Sequence, residues 1–281
     1  MKNETDHEIF CHGSLITTQH ILSASHCYKE GVDISQLFIV LGSREPLKEG
    51  VRKSRKKPKD RVKGQIHEIK TVISHSMYRA PAAYFDVSIT KLEEKVTTSK
   101  FIFPICLPTQ PETFEEHETR YGNTFIVTGF RTNDEDTDNK LHQIQPTLQK
   151  KIDCNDAYDS SKISNDLHQT ASLNALPQLF DNSTMCASNV ALKKSQGSCP
   201  GDSGGPFFEI VNLNKTLQRY VQYGTIHGSV QKCSSSRFPG IFVRLTEPHV
   251  FEFLNTLGRS NGNVTYQASE RGTLTFTIIY F

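Results

Sequence analysis

The sequence predicts an all-β fold, either a barrel or a sandwich, because short apolar runs recur along it and no long helical pattern alternates with them. The runs are rich in Val, Ile, Phe and Thr, which favour strands. A length of 281 residues leaves room for one large β domain or two small barrels. Five runs stand out, at residues 14–16, 36–42, 71–73, 124–130 and 239–245.

One helix is predicted near the C-terminal end of the chain. Apolar residues from Val250 to Leu257 recur at the spacing of one helical face. Pro248 suits the first turn of this helix, and Gly258 suits its end. Beyond the helix, residues 274–280 alternate between apolar and polar side chains, which predicts either one more strand or an unpaired, aggregation-prone end.

Composition indicates a globular protein rather than a disordered one, since apolar residues make up 36% of the chain and charged residues 22%. The net charge of +2 is too small to indicate nucleic-acid binding. No apolar run is long enough for a membrane helix, so we expect no membrane partner.

The cysteines indicate an oxidising compartment. Seven of them spread from Cys11 to Cys233 without the paired spacing of zinc ligands, so they predict disulfides and neither a metal site nor a cofactor. The cysteines therefore favour a secreted protein. Residues 1–10 lack the apolar core of a signal peptide, so we expect that the export signal is missing from this chain or that the chain is a fragment. N-x-[ST] triplets predict glycosylation at Asn3, Asn182, Asn214 and Asn263.

The strongest functional motif is the string Gly-Asp-Ser-Gly-Gly-Pro at residues 201–206. A serine hydroxyl is a weak nucleophile, which needs a base to take its proton and donors to stabilise the oxyanion formed by its attack. Glycines around Ser203 allow a sharp backbone turn and a close approach of substrate. The backbone N–H groups of Gly201 and Ser203 are the candidate oxyanion donors. The alternative is an ordinary glycine-rich turn.

His26 is the candidate base. It directly precedes Cys27, and the segment CHGSLI at 11–16 lies upstream, so a bridge between Cys11 and Cys27 would hold the loop that carries His26. These segments resemble the CGGSLI and TAAHC motifs of the chymotrypsin-like serine peptidases, as residues 201–206 resemble their GDSGGP motif. A lone histidine is more often structural, but two motifs together favour the catalytic interpretation.

The third member of the implied triad is Asp86. Its segment YFDVSI at 84–89 resembles the family's NDIALL strand, and the chain order His, Asp, Ser matches the family. The resemblance implies that Asp86 orients the imidazole of His26 and stabilises its cation while Ser203 attacks. The alternative is a carboxylate that merely ends a strand.

The resemblance covers roughly residues 11–257 and continues at TGF (128–130), CNDAY (154–158), MCA (185–187) and PGIF (239–242). It implies two antiparallel six-stranded β-barrels with the triad in the cleft between them. The implied domains are a peptidase domain over 1–258 and an extension over 259–281. Within the first, the N-terminal barrel spans about 11–105, the C-terminal barrel about 120–247 and the closing α-helix about 248–258. The implied disulfides are Cys11–Cys27, Cys154–Cys186 and Cys199–Cys233.

The implied function is that of a secreted serine endopeptidase, which hydrolyses protein or peptide substrates through an acyl-enzyme on Ser203. The resemblance also places Gly197 at the floor of the primary specificity pocket, with Ser198 beside it and Gly228 and Gly240 in its walls. Trypsin-like members carry Asp at the floor. An open pocket without a fixed charge favours apolar or aromatic substrate side chains over basic ones.

One departure from the family concerns activation. Cleaved relatives begin with Ile/Val-Val-Gly-Gly, and that terminal ammonium pairs with the aspartate before the nucleophile, here Asp202. This chain has no such sequence, and the first strand of the N-terminal barrel is largely missing, so we expect that barrel to be incomplete at its N-terminus. An unpaired buried carboxylate is costly. The chain alone is therefore expected to be inactive, zymogen-like or truncated. The alternative to an active endopeptidase is a non-catalytic homologue that acts as a binding or regulatory module.

Other departures lie beside the triad. Residues 226–228 read Ile-His-Gly where the family has Ser-Trp-Gly, and losing that Ser is expected to remove a hydrogen bond to the triad aspartate. His12 likewise replaces a family glycine. Cys106 is the odd cysteine, and the resemblance implies either a bond to an upstream chain or a free thiol.

A basic run lies outside these motifs. Residues 52–63 carry eight Lys or Arg among twelve residues, which argues against the calcium site that some relatives have in this loop. The run predicts either an acidic or sulfated-glycan partner or a solvated, cleavable loop.

Overall fold

The computed structural model describes residues 9–28, 31–43, 64–130, 141–158, 181–188, 198–199, 201–212, 214, 218–229, 238–260 and 277–280. Within them the chain forms thirteen strands and three α-helices. The strands are β1 Ile9–Thr17, β2 His20–Ser23, β3 Phe38–Leu41, β4 Gln65–Ser74, β5 Ser88–Leu92, β6 Ile126–Gly129, β7 His142–Ile144, β8 Thr147–Leu148, β9 Thr184–Ser188, β10 Pro206–Asn212, β11 Gln218–Gly228, β12 Gly240–Arg244 and β13 Thr277–Tyr280. The helices are α1 Phe114–Glu118, α2 Lys151–Ala157 and α3 Pro248–Ser260.

All five apolar runs of the sequence contribute to strands, which form two antiparallel sheets as the all-β prediction requires. The first sheet is a closed barrel in the order β1-β13-β3-β4-β5-β2. Inward-facing residues fill its core, among them Leu15, Ile21, Ile39, Leu41 and Leu92, all fully buried. These residues come from four different strands, so the barrel is held by contacts between distant parts of the chain.

The strand β13 comes from the C-terminal tail and lies between β1 and β3. Ile278 pairs with His12 on one side and with Val40 on the other. The alternation in 274–280 therefore correctly indicated a strand, and that strand is paired rather than free. The barrel that was expected to lack a strand at its N-terminal side is closed by a strand from the opposite end of the sequence.

We expect the tail strand to contribute substantially to stability. Replacing residues 277–281 with a Gly/Ser stretch of equal length takes away the β-branched and aromatic residues that favour a strand. This weakens its pairing on both sides and should lower the free energy of unfolding by about 2–4 kcal/mol. Urea denaturation measures this change. Ile279→Pro should act in the same direction, because proline cannot donate within a central strand, whereas Ile279→Val should be nearly neutral. An unchanged midpoint in both the replacement and the proline variant would show that β13 does not close the barrel in solution.

The second sheet also curls into a barrel. Its seven strands follow the order β7-β6-β10-β11-β12-β9-β8. The two outermost strands are consecutive in the chain, and a bridge between Thr124 and Thr147 brings the ends of the sheet together. Phe125, Phe207 and Phe242 stack in its core, with ring centroids of neighbouring pairs 4.3 and 4.4 Å apart.

The two barrels meet across a shared apolar cluster that includes the C-terminal helix. Val87 and Ile89 from the first barrel pack with Val243 from the second and with Val250 and Leu254 from α3. This cluster fixes the relative position of the barrels, and with it the cleft that holds the candidate site.

Helix α3 begins at the predicted Pro248 and runs two residues beyond the predicted stop at Gly258. The Glu247 side chain accepts the Val250 N–H at 2.8 Å, which satisfies one donor at the helix start. None of the helices in the described residues is long and apolar enough to cross a membrane.

Candidate active site

His26 and Asp86 are brought together from 60 residues apart in the sequence. A short 3₁₀ helix, Ser25–Tyr28, carries the histidine, and the carboxylate lies just before β5. Asp86 accepts the His26 backbone N–H through Oδ1 at 2.8 Å and the ring Nδ1 through Oδ2 at 2.6 Å. These two contacts fix both the position and the tautomer of the imidazole, with Nδ1 protonated and Nε2 free to accept a proton.

The backbone before Asp86 is strained. Phe85 has a φ of 52°, a left-handed conformation that residues other than glycine rarely adopt. Such strain is found where the surrounding structure imposes it, often at functional sites. Here it turns the chain so that the next side chain points inward, with Asp86 fully buried.

Asp86 stays ionised despite its burial. Desolvation alone would raise its pKa, but the charge of His26 and hydrogen bonds from His227 and His26 lower the pKa below its ordinary value. A carboxylate that is charged at neutral pH is what stabilises an imidazolium on its neighbour.

The Ser203 backbone packs against the disulfide-bonded loop that carries His26. Its carbonyl accepts the His12 N–H at 2.7 Å and lies 3.9 Å from Cys27 Sγ. The next residue, Gly204, has a φ of +82°, and a Cβ there would collide with Ser23 Oγ and the His12 carbonyl. Glycine is required at 204 for this close approach, as the motif predicted.

The Ser203 hydroxyl does not point at the imidazole in this state. Oγ donates to the His227 carbonyl at 3.2 Å, and among the described residues no hydrogen bond joins it to His26. Of the two hydrogen bonds that a triad needs, the one between His26 and Asp86 is formed. The one between Ser203 and His26 is not formed among the described residues.

His227 supplies a contact that the sequence did not predict. Its Nδ1 donates to Asp86 Oδ2 at 2.6 Å, so the hydrogen bond expected to be lost with the family's Ser is replaced by one from the neighbouring residue. The rings of His26 and His227 meet edge to face with centroids 5.3 Å apart. The sequence showed that the family's Trp is replaced by His227, but it did not show that this imidazole contacts Asp86.

The predicted oxyanion donors lie in a tight turn. Asp202 N–H donates to the Cys199 carbonyl at 3.0 Å, and Gly205 N–H donates to the Asp202 carbonyl at 3.0 Å. Gly201 has a φ of +89°. The N–H groups of Gly201 and Ser203 donate to no acceptor among the described residues.

Asp202 is buried, as expected, but it does not lack partners. Its Oδ2 accepts the Cys199 N–H at 2.8 Å, and the His12 ring lies close enough for the two to interact electrostatically. Burial lowers the pKa of His12, and the Asp202 charge opposes that shift. His12 Nδ1 donates to the Gly201 carbonyl, so the ring is attached to the loop that carries both oxyanion donors.

Two of the residues predicted to line the specificity pocket, Gly228 and Gly240, lie at the ends of β11 and β12. Gly228 pairs with Ile241, which follows Gly240. A Cβ on Gly240 would lie 3.2 Å from the buried Ser198 hydroxyl, so the glycine keeps space beside that serine. Gly197, the predicted floor, lies outside the described residues.

Two of the three implied disulfides are formed, Cys11–Cys27 and Cys154–Cys186. Cys199 is disulfide-bonded, while Cys233 lies outside the described residues. Cys106 is a free, half-buried thiol, and burial raises its pKa, which disfavours the reactive thiolate.

Of the predicted surface features, two can be located. Asn182 and Asn214 are exposed, as a glycan would require. Asn3, Asn263 and the basic run 52–63 lie outside the described residues.

Comparisons with known proteins identify the family of the chain. The family model described as Trypsin matches residues 1–250. The chain is 26% identical over 237 residues to the venom serine protease Bi-VSP of Bombus ignitus, and 29% identical over 240 residues to the serine protease grass of Drosophila melanogaster. Both alignments cover 84% of this chain, which spans 56% and 57% of those two relatives. It is 24% identical over 245 residues to the clotting factor G beta subunit of Tachypleus tridentatus, covering 85% of this chain and 69% of the relative. The chain therefore belongs to the trypsin family of serine proteases.

Proposed function

We propose that the protein is a secreted serine endopeptidase that cleaves peptide bonds through an acyl-enzyme on Ser203. The observation that carries the proposal is the buried Asp86 carboxylate, bonded to His26 Nδ1 at 2.6 Å beside the Ser203 loop. This arrangement leaves Nε2 of His26 as a base on the side of the cleft where a nucleophile is needed.

The first chemical step begins with rotation of the Ser203 hydroxyl away from the His227 carbonyl. Oγ then attacks the substrate carbonyl while His26 Nε2 takes its proton, and Asp86 stabilises the resulting imidazolium. The N–H groups of Gly201 and Ser203 donate to the oxyanion. His26 next passes the proton to the leaving amine, and water repeats the sequence to release the acid.

For specificity we propose apolar or aromatic side chains at the primary site. Ser198, Gly228 and Gly240 offer no charge to pair with Lys or Arg, and the glycines leave room. A panel of peptides that differ only at this position, read by mass spectrometry, should show internal cleavage after Phe, Tyr or Leu in preference to Lys or Arg.

Three further features belong to the same proposal. Disulfides and exposed sequons at Asn182 and Asn214 support secretion and glycosylation. The basic run 52–63 is proposed to bind an acidic or sulfated-glycan partner. Cys106, free within this chain, is proposed to bond an upstream chain.

The test of the function is covalent labelling. A fluorophosphonate probe should label the folded chain once, at Ser203, and the Ser203→Ala variant should not be labelled. Ser35→Ala, at an exposed position, is the matched control and should label at the wild-type rate. Absence of labelling in the full-length, processed protein would support the non-catalytic binding module instead.

A further inference from the structure

The site contains one more metal-ligating side chain than a catalytic triad needs. His26, Asp86 and His227 each present a donor atom, and these three atoms all lie within 4.8 Å of one another. Both imidazoles approach the same oxygen, Asp86 Oδ2, at 2.6 Å. Catalysis needs only one histidine as the base. The second imidazole adds a third metal-ligating side chain whose donor atom approaches the same carboxylate oxygen.

We propose that this cluster, His26, Asp86 and His227, binds a divalent transition-metal ion such as Zn²⁺. Two imidazole nitrogens and one carboxylate oxygen are ligands that zinc takes in proteins, with a fourth position left for water. Each neutral imidazole becomes a ligand at Nδ1 when its proton moves to Nε2, so binding needs no other residue.

The cluster has to widen to admit the ion. Tetrahedral bonds of about 2.0–2.2 Å place neighbouring donor atoms roughly 3.3 Å apart, whereas the present nitrogen–oxygen distances are 2.6 Å. The two rings can supply this movement, since the His26 side chain is 25% exposed and the His227 side chain 19% exposed. Asp86, fully buried and bonded to the His26 backbone N–H at 2.8 Å, remains as the anchor.

A bound ion would switch the protease off, and this consequence rests on the proposed function. With a metal on Nδ1, the imidazole of His26 carries its proton on Nε2 and cannot take the Ser203 proton. The ion also uses the Asp86 charge that would stabilise the imidazolium. The metal therefore holds His26 in the opposite tautomer to the one that the peptidase requires, and it competes with catalysis rather than supporting it.

The direct test measures metal binding without activity. Tag-free Ser203→Ala protein is titrated with Co²⁺, whose visible absorption reports tetrahedral coordination, and Zn²⁺ is then added to displace it. We expect one ion per chain. Adding His227→Phe, or His227→Asn, which keeps a donor towards Asp86 but removes the imidazole, should weaken Zn²⁺ binding at least about tenfold. His249→Asn is the matched control, because His249 is an exposed histidine beside Glu247 and outside the cluster, and it should leave binding unchanged.

The outcomes separate this proposal from the proposed function. No Zn²⁺ binding at millimolar concentration, or equal affinities with and without His227, overturns the metal site even if Ser203 labels normally. Metal binding that depends on His227 supports the site even if no fluorophosphonate labelling is found. Where labelling does occur, Zn²⁺ should slow it in the otherwise wild-type chain.

Discussion

The Asp86→Asn variant is expected to lose about 10³–10⁴-fold in kcat at neutral pH, with a much smaller change in KM. The carboxylate now accepts three hydrogen bonds, from the His26 backbone N–H and from Nδ1 of both His26 and His227. An asparagine of the same shape keeps one acceptor and presents an NH₂ group towards the rings. Both imidazoles must then carry their protons on Nε2, and His26 can no longer act as the base for Ser203.

The measurement is steady-state hydrolysis of a peptide substrate together with the rate of fluorophosphonate labelling. Nitrogen NMR shifts of the histidine rings report the tautomer directly, and should show the proton moved to Nε2. Asp33→Asn is the matched control, since this exposed aspartate accepts the Ser35 N–H at 3.0 Å and, among the described residues, bonds neither His26 nor Ser203. A loss smaller than tenfold in Asp86→Asn would show that the carboxylate does not set the tautomer.

Much of the scaffold around this carboxylate was predictable from local sequence. Apolar runs such as 36–42 and 239–245 specify strands by composition, and paired short motifs at 11–16 and 201–206 identify the residues that later meet. Such motifs are informative because a serine nucleophile needs both a glycine-rich turn and a base. For His26 and Asp86 the motifs indicated two side chains that come together in the fold, but not their 2.6 Å distance, and the catalytic roles of His26, Asp86 and Ser203 stay a prediction.

What could not be predicted depends on contacts between distant parts of the chain. The alternation in 274–280 indicated a strand, but strand propensity does not name a partner, so its insertion between β1 and β3 was not foreseen. The contact of His227 also could not be predicted. The sequence gives the residue type, but the 2.6 Å hydrogen bond to Asp86 depends on the path of β11 in the fold. Both findings relate to departures from the family pattern, the first to the missing first strand of the N-terminal barrel and the second to the changed residues at 226–228.

His12→Ala is expected to slow acylation of Ser203 about a hundredfold, because the oxyanion loop loses the side chain that holds it. The ring is buried, stacks on Phe130 with centroids 5.6 Å apart and donates from Nδ1 to the Gly201 carbonyl. Removing it frees that carbonyl and takes away the imidazole that faces Asp202. Gly201 and Ser203 would then present their N–H groups to the substrate oxygen for only a fraction of the time.

The variant His12→Asn separates the hydrogen bond from the packing. The asparagine amide nitrogen occupies nearly the place of Nδ1 and should recover most of the labelling rate, although it fills less of the space beside Phe130. His20→Ala provides the control, since His20 is another buried histidine of the first barrel and bonds Thr17 Oγ1 at 2.8 Å, away from the loop.

Equal losses in kcat for His12→Ala and His12→Asn would contradict a role of the Nδ1 donor. Equal losses for His12→Ala and His20→Ala would reduce the effect to general destabilisation. A loss of activity in His12→Ala but not in His20→Ala would mean that a side chain of the first barrel orders the oxyanion loop in this chain. The family pattern has glycine at that position.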